Sequence, residues 1–278
     1  MKHRFSKNGK KFLIHAVLCG GAVCASLPFV WMVSTSFKSL DQVFTIPIQF
    51  IPKTIHLGNF LTPFQQQPLL PRYFFNSILV TSLITLSTVF LSALSGYSLA
   101  KFQYRGKALL FLFILSTMMI PYQLLMVPHF LITKKMNLLN SYLGLILPYA
   151  MAPFGVFLMR QYILALPTEL MEAARIDGCS EFKIFWKVIL PLCKPAISAL
   201  TIFTFMLQWD NFHWPLIIVS KDKYMTLPLA IMRFQGEYQT NYPIMMAVSL
   251  LAMLPVLVVF FVAQKRFIEG TVMSGMKG

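Results

Sequence analysis

Six apolar stretches divide the chain, at 12–34, 74–99, 108–132, 142–163, 194–219 and 243–263. Each is near or above the ~20 residues that an α-helix needs to cross the hydrocarbon of a bilayer. Lipid offers no partner to a free backbone amide, so the pattern predicts helices at all six. Pro28, Pro121, Pro148, Pro153, Pro215 and Pro255 lie inside these stretches or near their ends. Membrane helices tolerate proline where neighbours satisfy the freed carbonyls.

Polar residues inside the stretches fall into register. In the fifth, Thr201, Thr204, Gln208 and Asn211 are three or four apart and share a helical face. Thr204, Gln208 and Asn211 are the candidates for a translocation path, because intramembrane polar groups face a bundle interior or an aqueous route. The bland alternative is hydrogen-bonding glue between helices, of about 1 kcal/mol or less per site. By the same period Asp210 falls on the opposite side, as a structural pair or an outer cap rather than a proton relay. In the second stretch, Ser77, Thr81, Thr85, Thr88 and Ser92 read first as a packing seam and second as a pore wall. Met118, Met119 and Met126 read as adaptable packing rather than a copper site.

Composition agrees with an all-α polytopic membrane protein. Of 278 residues 57% are apolar and 12% charged, against about 25% charged in an ordinary soluble domain. The net charge of +15 raises the question of nucleic acid, but the charges sit in the loops between apolar spans, so no nucleic-acid partner is expected. Their placement sets orientation instead. Lys2, Arg4, Lys7, Lys10 and Lys11 precede the first span, and Lys101, Arg105 and Lys107 follow the second. Arg175, Lys183 and Lys187 fill the break before the fifth, and Lys265, Arg266 and Lys277 follow the last. Both termini and the break are therefore expected in the cytoplasm, with the first span an uncleaved anchor. Cys19, Cys24, Cys179 and Cys193 have no zinc spacing, and no phosphate-binding loop, dinucleotide fingerprint or H-E-x-x-H motif occurs. No catalytic, cofactor or metal residues are assigned. If the chain does work on a substrate, its energy must come from a gradient or a partner.

The break at 164–191 is too basic for lipid and too patterned for a spacer. Thr168 is placed to cap a short helix, with Glu169 in its first turn. Glu172, Ala173, Ala174, Arg175 and Ile176 continue it, and Asp177-Gly178 stops it. Ser180 is placed to cap a second helix through Phe182, Ile184, Phe185 and Trp186. Leu170 and Ile176 suit an apolar groove on a partner, Glu172 and Arg175 its polar rim, and the two alanines a close approach. The competing reading is a loop packed only on its own bundle.

The break is similar to the signature of the permease subunits of bacterial ABC importers: Glu-Ala-Ala, three residues, Gly, nine residues, Ile, one residue, Leu-Pro. Glu172, Ala173, Ala174, Gly178, Leu190 and Pro191 stand in register, with Val188 at the isoleucine. The resemblance covers nearly the whole chain. Ala100-Lys101-Phe102, Met119-Ile120-Pro121, Leu145-Ile146-Leu147-Pro148 and the Lys-Gly end at 277–278 contribute. So does Trp209-Asp210-Asn211-Phe212 with Trp214-Pro215-Leu216; Asp210 or Asn211 stands at the family's asparagine, and the spacing favours Asp210. The carbohydrate branch, and within it the second permease of maltose-type systems, is the nearest likeness.

The resemblance implies one six-helix permease domain over 1–278, with 164–191 as its cytoplasmic coupling loop. It implies a bacterial plasma membrane, the inner one in a Gram-negative cell. The implied partners are a homologous second permease, two ATPase subunits that bind ATP-Mg, and an extracytoplasmic solute-binding protein. The implied substrate is a sugar or small polyol, and the implied ATPase-docking residues are Leu170, Glu172, Ala173, Ala174, Arg175, Ile176, Asp177 and Gly178. The loop 220–242, with Arg233, Glu237 and Tyr238, is expected on the outer side, and the tail 276–278 beside the ATPases. Import of glycerol phosphate or another small solute is the alternative within the class. A proton-coupled secondary transporter is the alternative outside it.

Overall fold

A computed structural model describes residues 7–232 and 241–275, with side chains for 9–232 and 241–264. The expectations for Arg233, Glu237, Tyr238 and Met276-Lys277-Gly278 lie outside these residues. All regular structure among the described residues is helical. The principal helices are α1 (Lys7–Ser36), α2 (Leu70–Lys101), α3 (Lys107–Thr117), α4 (Tyr122–Lys135) and α5 (Tyr142–Ile146). They continue with α6 (Pro153–Leu164), α7 (Glu169–Ile176), α8 (Glu181–Leu192), α9 (Lys194–Trp209), α10 (His213–Ile218) and α11 (Tyr242–Gly275).

Three helices are long and apolar enough to cross a membrane unaided: α1, α2 and α11. Three more crossings arise if bent pairs count as one span each: α3 with α4 at 100°, α5 with α6 at 45°, and α8 with α9 at 78°. The chain is thus a polytopic all-α membrane protein with up to six spans, but 108–132, 142–163 and 194–219 are not the straight helices their apolar runs predict. Proline explains the bends. Pro121 takes an extended backbone (φ −57°, ψ 133°) and restarts the chain as α4. Pro153 opens α6 after an extended Ala152. Pro191 cannot donate to the carbonyl of Lys187, and α8 widens into a π turn at Phe185–Ile189 just before it. Pro195 follows at the start of α9, so the elbow at Cys193 is framed by two missing donors. The fifth apolar run also fails to continue to 219, because α9 ends at Trp209 and α10 begins only at His213. The backbone after the last span stays helical through Gly275.

By contacts the chain falls into two compact units, Met1–Pro68 with Ile231–Ala252, and Leu69–Ala230 with Met253–Gly278. In the first, the apolar window of α1 is wholly exposed, a surface suited to lipid or to another apolar helix. The segment after it is pinned by polar groups. Lys38 is fully buried, its Nζ donating to the carbonyl of Gln49 at 2.5 Å and lying 4.0 Å from the ring of Trp31. Burial pushes its pKa below the ordinary lysine value. Asn59 Nδ2 bridges the carbonyls of Ser36 and Lys38 at 2.9 and 2.7 Å.

In the second unit α2 is the axis, with α6 and α9 packed along it. Ser77, Thr81, Thr85, Thr88 and Ser92 are all buried, so the small polar stripe is a packing seam, as its first reading predicts. Thr88 Oγ1 donates to the carbonyl of Tyr149 at 2.9 Å, and Ser77 Oγ accepts from Leu227 N at 2.8 Å. Two apolar cores grip α2. One gathers Val80, Ile84, Leu145 and Trp214. The other gathers Tyr97, Met159, Ile163, Met171, Ile184 and Phe185, and carries the break described next.

Candidate functional site

The break folds as two short helices around a glycine. α7 ends in a Schellman motif: Cys179 N donates to the carbonyl of Ala174 at 3.0 Å and Gly178 N to that of Arg175 at 2.9 Å. The motif needs a left-handed residue at its turn, and Gly178 supplies φ +76°. Ser180 caps α8 as its position predicts, its Oγ accepting from Lys183 N at 3.4 Å. Thr168 does not cap α7. It is itself helical (φ −73°, ψ −28°), and its hydroxyl instead lies 3.3 Å from Lys101 Nζ, which donates more strongly to the carbonyl of Leu166 at 2.6 Å.

Met171 faces inward, fully covered, in the core with Ile163, Ile184 and Phe185, and Ala174 packs beside it. Glu172, Ala173, Arg175, Asp177 and Gly178 are exposed, and Ala174 is half-buried. Leu170 is 44% exposed and Ile176 86%, so two large apolar side chains point away from the bundle that holds the helix. Met171 and half-buried Ala174 seat the helix, and its outer apolar side chains stay uncovered within the subunit.

Arg175 has an internal partner. Its Nε donates to Glu181 Oε1 at 2.6 Å and its Nη2 to Oε2 at 3.3 Å, while Tyr97 Oη, on α2, donates to Oε2 at 2.7 Å. The Arg175 bond, then that from Tyr97, holds Glu181 below the usual carboxylate range. The contribution of this cluster is present above the ordinary glutamate value of about 4.3 and is lost as the pH falls through the depressed value. With Lys101 and Met171, it ties both ends of α7 to the end of α2. Nothing in the linear pattern marks Tyr97, Lys101 or Met171 for this role, because the partners are far apart in the chain. Tyr97→Phe keeps the ring and deletes the donor. A hydrogen bond to a charged group contributes about 1.5 kcal/mol or more. Amide exchange across 169–184 is therefore expected to speed up by about tenfold in the variant; unchanged exchange would show that the bond does not hold the break.

The second site is a groove beside α9. A cavity of about 340 Å³ is lined by Thr88, Tyr122, His129, Tyr149, Thr204, Gln208 and apolar neighbours. A second, more open, of about 640 Å³, is lined by Tyr122, Tyr149, Met206, Leu207, Gln208, Asp210, Asn211 and His213. Gln208 lines both, and Asn211 Nδ2 donates to Gln208 Oε1 at 3.1 Å. The structure thus gathers Thr204, Gln208 and Asn211 along one groove. Thr201 is turned back onto the carbonyl of Ile197 at 2.8 Å and lines neither cavity. Asp210 is not on the opposite side: α9 ends at Trp209, the helical period no longer applies, and Asp210 faces the same cavity as Gln208 and Asn211. Tyr122, Tyr149 and His129 were missed by the polar-stripe reading. The rings of Tyr122 and Tyr149 are 5.6 Å apart, and His129 lies 6.0 Å from Tyr122. Their signal was a tyrosine directly after a proline in the middle of an apolar run, at Pro121-Tyr122 and Pro148-Tyr149.

Residues 89–271 match the family described as binding-protein-dependent transport system inner membrane component. The chain is 37% identical to the arabinooligosaccharides transport system permease protein AraQ of Halalkalibacterium halodurans, over 92% of this chain and 93% of that protein. It is 33% identical to the sn-glycerol-3-phosphate transport system permease protein UgpE of Pectobacterium atrosepticum, over 97% and 98%. Among solved structures it is similar, at 25% identity and a TM-score of 0.83, to a chain of a bacterial ABC transporter involved in the import of the acidic polysaccharide alginate, covering 96% of this chain and all of that one.

Proposed function

We propose, because the chain belongs to the binding-protein-dependent transport system inner membrane component family, that it carries a sugar or related small polyol into a bacterial cell. It is the transmembrane permease subunit of an ABC-type importer and not itself a catalyst. ATP-Mg binds to two partner ATPase subunits, a homologous second permease completes the path, and an extracytoplasmic binding protein delivers the solute. The nearer likeness to the second permease of maltose-type systems is our reading of the signature, the Trp209–Leu216 segment and the terminal Lys277-Gly278. The basic loops orient both termini and the break toward the cytoplasm of a bacterial plasma membrane, the inner one in a Gram-negative cell.

The observation that carries the reading is the break itself: an exposed helix with apolar Leu170 and Ile176 outward, welded to the end of α2 by Met171, Lys101 and the Tyr97–Glu181–Arg175 cluster. Leu170, Glu172, Ala173, Ala174, Ile176, Asp177 and Gly178 offer the docking surface, and Arg175 holds it in shape. Force applied to α7 is then delivered to the central helix, and a partner that binds one arrangement of the bundle more tightly shifts the equilibrium toward it. The cargo reading rests on the groove and on relatives named for arabinooligosaccharide transport. The glycerol-phosphate reading has its own relatives, but neither cavity is lined by a lysine or arginine to meet a phosphate. A proton-coupled mechanism would need a chain of acids, and Asp210 is the one acid lining these cavities.

Gln208 and Asn211 each donate and accept, which suits hydroxyl groups. A neutral hydrogen bond is worth about 0.5–1.5 kcal/mol. Gln208→Leu and Asn211→Leu are expected to cut solute uptake by about two- to tenfold at equal complex abundance, more than Leu112→Ile, an exposed position that lines neither cavity. Wild-type uptake kinetics in both would take these residues off the path.

A further inference from the structure

We propose that Asp210 makes the groove an anion-excluding passage suited to neutral polyhydroxyl solutes. This rests on the reading of the groove as the solute path and adds a charge rule to it. The two cavities share Tyr122, Tyr149, Leu207 and Gln208, so they form one continuous surface of rings and amides. The apolar faces of a sugar ring suit the paired tyrosines, and its hydroxyls suit Gln208, Asn211 and Thr204. Asp210 brings the one carboxylate to that surface. No lysine or arginine lines either cavity, and no described cation lies within salt-bridge distance of Asp210. Asp210 is exposed beside the larger and more open cavity, where a solute in the groove meets its carboxyl group. The other titratable side chains are Tyr122 and Tyr149 on both cavities, His129 on one and His213 on the other. The test is run at pH 8, well above the ordinary carboxylate range, so that the carboxylate sets the sign of the local field.

The consequence is selective. A neutral sugar meets donors, acceptors and rings. A phosphate or carboxylate meets a fixed negative charge with no compensating cation. In water a unit charge at about 7 Å changes the local concentration of a singly charged species by roughly threefold, in opposite directions for the two signs. The preference for cation over anion is therefore expected to be roughly eightfold at low salt and to shrink as salt screens it.

The test is a cysteine at Leu207 in the assembled transporter, with Cys19, Cys24, Cys179 and Cys193 replaced by alanine and the complex purified in wild-type amounts. Its thiol is reacted at pH 8 and about 10 mM salt with cationic, anionic and neutral methanethiosulfonate reagents of similar size. The cationic reagent is expected to react roughly eightfold faster than the anionic one. Asp210→Asn is expected to bring the two rates within about twofold while leaving the neutral rate unchanged. Equal cationic and anionic rates in the wild type, or a ratio that Asp210→Asn leaves alone, would overturn the charge rule and leave the path reading standing. A thiol that no reagent reaches would overturn the path reading itself. Uptake of radiolabelled glycerol 3-phosphate by the wild-type transporter would also overturn the proposal.

Discussion

Gly178→Val is expected to reduce ATP-driven uptake by tenfold or more while the subunit inserts and assembles in normal amounts. The reason is conformational. Gly178 sits at φ +76°, in the Schellman turn that closes α7. A residue with a side chain pays about 1–2 kcal/mol for that conformation, and a β-branched one pays most. Crowding within the subunit is not the cause, because a Cβ built at Gly178 has nothing within 4 Å. The substitution series therefore has a definite order. Asparagine, which tolerates the left-handed region, should stay within about threefold of wild type; alanine should be intermediate and valine worst. Asparagine failing as badly as valine would move the cause from the turn to the close approach of a partner at the bare Cα. Normal uptake with valine would contradict the turn's importance altogether.

Gly96→Leu is expected to have the largest effect on stability. Here α2 and α6 meet backbone to backbone. A Cβ at Gly96 would lie 2.8 Å from the amide nitrogen of Arg160 and 2.8 Å from Cβ of Met159, distances that helical backbone cannot relieve by a rotamer change. Overpacking of this kind costs about 1–3 kcal/mol. For a domain of this size that lowers the melting temperature by roughly 2–12 °C. Gly96→Ala should show a smaller drop in the same direction. Gly20→Leu, on α1 with nothing within 4 Å, is the matched control and should leave the melting temperature unchanged. A thermal shift assay on the purified subunit or complex reads all three. Equal melting for Gly96→Leu and Gly20→Leu would mean that the α2–α6 contact is looser than described.

The parts of this molecule that could be read from sequence are those fixed by neighbours in the chain. Gly178 and Ser180 act within three or four residues of themselves, and both turns form as their residue types dictate. Thr168 looked like a cap by the same reasoning. Its hydroxyl is instead engaged by Lys101, 67 residues away, and no local rule can see that. The helices α1, α2 and α11 were legible because one uninterrupted helix satisfies the whole apolar run. The other three runs were legible as apolar but not as bent. The prolines were visible, yet the angle each produces depends on what the next segment packs against. Asp210 was assigned to the wrong side for a related reason: a helical period was carried past Trp209, where the helix ends. The aromatic half of the groove was hidden because Tyr122 and Tyr149 lie in different spans and meet only in three dimensions.

On our reading, a partner ATPase drives this permease through α7. Single cysteines at Ala173, Ala174, Arg175, Ile176 and Asp177, each paired with cysteines around the membrane-facing groove of the ATPase, test it most directly. Disulfide crosslinks are expected in the assembled transporter, strongest at Ile176, where the apolar side chain is most exposed. Crosslinking is expected to stall uptake, and reduction to restore it. No capture of an ATPase at any of the five positions, in a complex that transports normally, would contradict it.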